Sequence, residues 1–134
     1  MKKISILTPC YNEEMNVELL YNRVTNEMSK LYEYDYEFIF IDNDSSDNTV
    51  NILKKLAALD KRLKIIVNIK NFGHIKSPFH GLLQCEGDAV ITMASDLQDP
   101  PELIHTFIQK WEEGYKIVVG IKPKSKESII MFFV

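Results

Sequence analysis

The chain has 134 residues, 46% of them hydrophobic and 26% charged, a balance that supports a folded core and excludes a disordered or membrane-embedded chain. Sixteen Lys and Arg against nineteen Asp and Glu leave a net charge of -3, so nucleic acid held by bulk positive charge is excluded as a partner. Cys10 and Cys85 lack metal-site spacing and read as reduced residues, not a disulfide.

No targeting segment is visible at the start. After Met1-Lys2-Lys3 the apolar run is brief and gives way to Asn12-Glu13-Glu14, so a cytoplasmic location is expected. One domain is the expectation from length. The first strand is expected over Lys3 to Pro9. A helix follows from about Glu13 to Lys30, with Asn12 as N-cap and Val17, Leu20, Val24, Met28 and Leu31 on one face at three- and four-residue spacing. The second strand, Tyr36 to Asp42, leads to a helix over about Thr49 to Leu59. The third, Leu63 to Ile69, leads to a helix over about Lys76 to Cys85, where Pro78 is acceptable only in the first turn. The fourth, Asp88 to Ala94, precedes a strong helix start: Asp99 as cap, Pro100 at the first helical position and Glu102 completing a capping box. A fifth strand is expected over Lys116 to Ile121. The final apolar run, Ile129 to Val134, stops abruptly, as in a truncated chain whose later residues would cover it.

Alternating strands and helices with short connections imply an α/β domain, with a mostly parallel sheet and helices on both faces. Ligands of such sheets bind beyond the carboxyl ends of the strands. Here those ends carry Thr8-Pro9-Cys10-Tyr11-Asn12-Glu13-Glu14, then Asp42-Asn43-Asp44-Ser45-Ser46-Asp47, then Ser95-Asp96-Leu97-Gln98-Asp99. Carboxylates gathered at one rim call for a cation or hydrogen-bond donors, and a hard metal ion answers that need. Asn12, Ser46 and Asp99, each taken singly, are better explained as helix caps than as ligand-binding groups; Asp42 and Asp96 end their strands too early for that. None of the five glycines precedes Gly73, which excludes a glycine-rich dinucleotide or phosphate loop after the first strand.

Four ordered motifs resemble the family-two glycosyltransferases of GT-A fold, a Rossmann-like nucleotide-diphospho-sugar transferase architecture. They are Thr8 to Glu14, Ile41 to Thr49, Asn71-Phe72-Gly73-His74, and Ala94-Ser95-Asp96-Leu97-Gln98-Asp99-Pro100-Pro101-Glu102. The resemblance is strongest to the polyprenyl-phosphate branch, which includes dolichyl-phosphate mannose synthase, and it covers the donor-binding part. It implies an inverting hexosyltransferase that moves sugar from a nucleotide diphosphate to a polyprenyl phosphate, as in cell envelope polysaccharide biosynthesis. By this resemblance Pro9, Tyr11, Glu13 and His74 line the nucleotide-sugar pocket, and Asp42 accepts a bond from base or ribose. Asp96 is the catalytic residue and, with Gln98, holds Mg²⁺ or Mn²⁺ on the diphosphate. Lys122, Lys124 and Lys126 are expected to meet donor or acceptor phosphates, or equally to form a solvated edge or approach an anionic bilayer. The implied partners are the nucleotide-diphosphate sugar, the lipid acceptor and the cytoplasmic face of the membrane, with a homo-oligomer left open. Three positions depart from the family's pattern: Ala94 stands where its first metal-motif Asp does, Asn43 at the second Asp of the strand-two motif and Asp44 at a Gly. A nucleotide-sugar-binding module without activity is the competing reading. A phosphoacceptor receiver domain fits less well, because it wants acids where Thr8-Pro9-Cys10 and Asn68 stand.

Overall fold

The computed structural model describes residues 1–122 and the backbone of residues 130–133. It divides into two compact units, Met1–Glu102 and Leu103–Val134. In the first, strands β1 (Lys3–Cys10), β2 (Asp35–Asp42), β3 (Leu63–Val67) and β4 (Ala89–Thr92) form one sheet in the order β3-β2-β1-β4, every pair parallel. Between them run helices α1 (Val17–Ser29), α2 (Thr49–Leu59) and α3 (Gly73–Leu83).

Strand order fixes the layers. The chain steps from β1 to β2 to β3 in one direction and then returns past β1 to β4, so right-handed crossovers put α1 and α2 on one face and α3 on the other. Side-chain alternation agrees. Ile4, Ile6, Phe38 and Phe40 share the face where Tyr21 of α1 stacks on Phe38 at 6.5 Å, while Leu7, Ile39 and Ile41 form a buried cluster on the opposite face. There Gly81 of α3 lies so close that an added Cβ would sit 2.8 Å from Leu7 Cδ1 and 3.1 Å from Ile41 Cγ2. A larger residue there would push the Leu7 side chain aside and crowd Ile41.

The strand starts are held by charge. Glu37 is buried on the α3 face, and its carboxylate accepts from Ser5 Oγ at 2.6 Å, Lys64 Nζ at 2.6 Å and the Glu86 N–H at 2.7 Å. Lys3 Nζ stands 3.4 Å away. Burial alone would raise the Glu37 pKa, but these donors outweigh it and hold the group at about 2. Beside it the Gly87 N–H donates to Ser5 Oγ, and an added Cβ at Gly87 would lie 2.6 Å from the Ser5 backbone nitrogen.

Three helix starts differ from the sequence expectation. Helix α1 begins at Val17, four residues after the expected Glu13, because Asn12 has φ of 50° and its amide oxygen accepts from the neighbouring loop instead of capping. Helix α3 begins at Gly73, so Pro78 is its sixth residue and costs only one early backbone bond. At the fourth helix, Asp99 accepts from the Ala94 N–H at 2.8 Å and the Glu102 carboxylate is engaged by Arg23 at 2.7 and 2.8 Å. A short 3₁₀ turn, Pro101–Leu103, precedes helix α4 (Ile104–Glu112).

In the second unit, β5 (Val118–Ile121) and β6 (Ile130–Phe133) pair antiparallel, Val118 opposite Phe133. The fifth strand thus joins a separate two-stranded sheet and not the parallel one, and the terminal apolar run supplies its partner. Among the described residues, no helix is long and apolar enough to cross a membrane.

Candidate functional site

Beyond the carboxyl ends of β1 and β4, where the strand order reverses, the first unit holds a cavity of about 690 Å³. Its wall on the sheet side comes from Leu7 and Thr92, which are register partners, and Pro9; α3 contributes Ile75, Phe79 and Leu82. Tyr11, Glu13, His74, Ser95 and Asp96 supply the groups able to meet a polar ligand. Tyr11 is 49% exposed and Asp96 and His74 are exposed, so a ligand can reach all three.

Each side chain is delivered by a loop locked to its neighbour. The loop after β1 and the loop after β2 exchange bonds in both directions: the Glu13 N–H donates to Thr49 Oγ1 at 2.9 Å, the Glu14 N–H to Asp47 at 3.2 Å, and the Asn48 N–H to Glu14 at 3.1 Å. Burial opposes ionisation of Asp47, yet the Thr49 hydroxyl and the N–H groups of Thr49 and Glu14 keep its carboxyl below the usual range. Asn43 secures the turn into α3, whose second residue is His74. The Asn43 amide donates to Asn71 Oδ1 at 2.9 Å and the Gly73 carbonyl at 3.2 Å, and accepts from the Phe72 N–H at 2.9 Å and Asn68 Nδ2 at 3.2 Å. Gly73, with φ of 87°, makes the turn into α3. After β4, the Gln98 N–H donates to Asp96 Oδ1 at 3.2 Å across Leu97, whose φ of 65° is a strained value for that residue.

Five of the expected site residues, Pro9, Tyr11, Glu13, His74 and Asp96, meet at this cavity. Asp42 does not line it. Asp42 is fully buried on the α1 and α2 face, where it accepts from the Ser45 N–H at 2.9 Å and Ser45 Oγ at 2.5 Å, with Cys10 Sγ at 3.7 Å. Burial, and then the Asp42 charge beside it, push the Cys10 thiol far above its ordinary pKa, so it is an inert neutral donor. Both cysteines are free. Gln98 is exposed and lies outside the cavity lining. Lys122 is exposed in the second unit, and Lys124 and Lys126 lie outside the described residues. Sequence reasoning missed Ser45 and Asn68, and the apolar wall from α3; the signal for Ser45 was the unbroken run of bond-forming residues from Asp42 to Asp47.

Residues 5–129 match the profile described as glycosyl transferase family 2. The chain belongs to that family. This family 2 chain is 39% identical over 122 residues to the uncharacterized glycosyltransferase YkcC of Bacillus subtilis (strain 168), covering 91% of the chain and 38% of the relative. It is 36% identical over 129 residues to the undecaprenyl-phosphate 4-deoxy-4-formamido-L-arabinose transferase of Proteus mirabilis (strain HI4320), covering 95% of the chain and 39% of the relative. Among solved structures, S. aureus TarS 1-349 superposes with a TM-score of 0.68 at 26% identity, over 94% of this chain and 37% of TarS. The same protein in complex with UDP-GlcNAc gives a TM-score of 0.65 over 83% of this chain and 31% of that one. The parallel α/β sheet is thus the GT-A fold, and the family 2 chain spans about 38% of the length of the curated relatives it matches.

The fold family implies a divalent metal. Among the described residues there is no group of three His, Cys, Asp or Glu placed to hold one. Mg²⁺, however, takes one or two protein carboxylates and fills its remaining positions with phosphate oxygens and water. Asp96, exposed at the cavity and with one oxygen engaged by a backbone N–H, fits that minimal role.

Proposed function

We propose that this chain is the donor-binding part of an inverting glycosyltransferase that moves a hexose from a nucleotide diphosphate to a polyprenyl phosphate at the cytoplasmic face of a membrane. One observation carries the reading: Pro9 at the end of β1, Tyr11 and Glu13 just after it, His74 at the start of α3 and Asp96 after β4 open onto one cavity at the strand-order reversal. The UDP-GlcNAc complex of TarS and the undecaprenyl-phosphate relative support the donor and acceptor classes.

In this reading Pro9, Tyr11 and Glu13 receive the nucleoside, His74 faces the diphosphate or sugar, and Asp96, with Gln98, holds Mg²⁺ or Mn²⁺. The ion, when bound, neutralises the departing nucleoside diphosphate as a Lewis acid. An oxygen of the lipid phosphate bonds to the anomeric carbon as the bond to the diphosphate breaks, which inverts the configuration. That oxygen is already anionic near neutral pH, so the chain need supply no strong base. Lys122, Lys124 and Lys126 would add positive charge for phosphates or an anionic bilayer, at about 1 kcal/mol per charge near the surface.

Calorimetry with UDP- and GDP-sugars, with and without Mn²⁺, tests the proposal. Saturable binding of at least one nucleotide, tightened by the metal, is the expected result. Heat of dilution alone with every nucleotide in both conditions would remove the glycosyltransferase reading of this chain.

A further inference from the structure

Asp42 is fully buried and yet meets no basic side chain among the described residues; its oxygens are met by the Ser45 N–H at 2.9 Å, Ser45 Oγ at 2.5 Å and Cys10 Sγ at 3.7 Å. With its hydroxyl donating to Asp42, the Ser45 oxygen is left to accept, and it does so from the Asn12 N–H at 2.8 Å. Asn12 returns the contact, its side-chain oxygen accepting from the Ser46 N–H at 2.8 Å. The relay therefore runs from a sealed carboxylate, through one hydroxyl, to the backbone between Tyr11 and Glu13. Both loops are in left-handed conformations there, Asn12 at φ of 50° and Asp44 at 67°, which persist only where surrounding bonds over-determine them.

We propose that Ser45 is a positioning residue of the nucleotide site: its hydroxyl couples Asp42 to the Asn12 backbone and so fixes where Tyr11 and Glu13 stand in the cavity. The inference rests on the nucleotide-binding reading above. It gives Asp42 a function without ligand contact. Asp42 fixes the hydroxyl's direction, since a carboxylate accepts only, and the hydroxyl then has its lone pair free for Asn12.

Ser45→Ala, Ser45→Thr and Tyr11→Ala, singly and with the Ser45→Ala/Tyr11→Ala double variant, are to be compared with the parent chain. The readouts are amide hydrogen exchange at Asn12 and the Kd for UDP and GDP. In Ser45→Ala, exchange at Asn12 should quicken about tenfold and the Kd rise about tenfold, with both restored within about threefold in Ser45→Thr. The Kd effects of Ser45→Ala and Tyr11→Ala should be less than additive, because the first acts through the second; a merely structural loss would add. Unchanged Asn12 exchange, or a parent chain that binds nucleotide and a Ser45→Ala variant that binds it equally well, overturns the positioning role and leaves the nucleotide reading standing. A parent chain that binds no nucleotide overturns the site reading itself, and the exchange result then still reports whether Ser45 holds the loop.

Discussion

Asp96→Asn should raise the Kd for a nucleotide diphosphate roughly 100-fold when Mn²⁺ is present, and leave the metal-free Kd within about twofold. The asparagine keeps an oxygen to accept the Gln98 N–H, so the loop geometry is preserved, and only the negative charge offered to the cation is lost. Asp96 is exposed, so its removal leaves no buried group unpaired. The melting temperature should move by less than about 2 °C. Calorimetry and thermal unfolding of the same variant separate the two roles. Loss of more than about 5 °C, with equal loss of affinity in both metal conditions, would make Asp96 a structural residue of the loop.

Glu37→Ala should have the largest effect on stability, about 3 kcal/mol, seen as a fall in melting temperature of roughly 10 °C. Truncation strips a bond from the Glu86 N–H and from Ser5 Oγ, and leaves Lys64 and Lys3 sharing, among the described residues, only the more distant, exposed Glu86 carboxylate. The pH dependence follows from the direction of the shift. Folded Glu37 binds its proton more weakly than the unfolded chain does, with a pKa of about 2 against the ordinary 4.5. Its contribution is therefore complete above pH 4.5 and drains away as pH falls toward 2. Thermal unfolding between those limits should show a steep loss in the parent chain and a shallower one in Glu37→Ala. Equal slopes would mean that Glu37 is not held in its charged form by these partners.

The strands were legible because β1 and β2 are buried on both faces and so appear as mostly apolar runs, Ile4 to Leu7 broken only by Ser5, and Phe38 to Ile41 unbroken. The helix starts were not. Asn12 and Asp99 have the residue types and spacing of caps, but their side chains accept from the backbone of Ser46 and Ala94. A cap and a loop clasp ask for the same chemistry, and local spacing cannot tell them apart. Asp42 shows the same ambiguity in a sharper form. A carboxylate at a strand end can face a ligand or close its own loop, and here the loop wins: Asp42 is fully buried with both oxygens engaged by Ser45 and Cys10, while Leu7, Pro9 and Thr92 on the α3 face line the cavity. The pairing of β5 with β6 was invisible for a different reason. Antiparallel partners are chosen by long-range register, and the apolar pattern from Ile129 onward is silent on which edge it will meet.

The central claim is that a nucleotide diphosphate sits at the carboxyl ends of β1 and β4. Titrating UDP-sugar with Mg²⁺ into the chain while following backbone amide shifts by nuclear magnetic resonance tests it most directly. Tyr11, Glu13, His74 and Asp96 should move together with a single affinity, while Ser5, Glu37 and Gly87, at the opposite end of the sheet, stay still. Shifts confined to that opposite end, or absent from Tyr11 and Asp96 at saturation, would contradict the account.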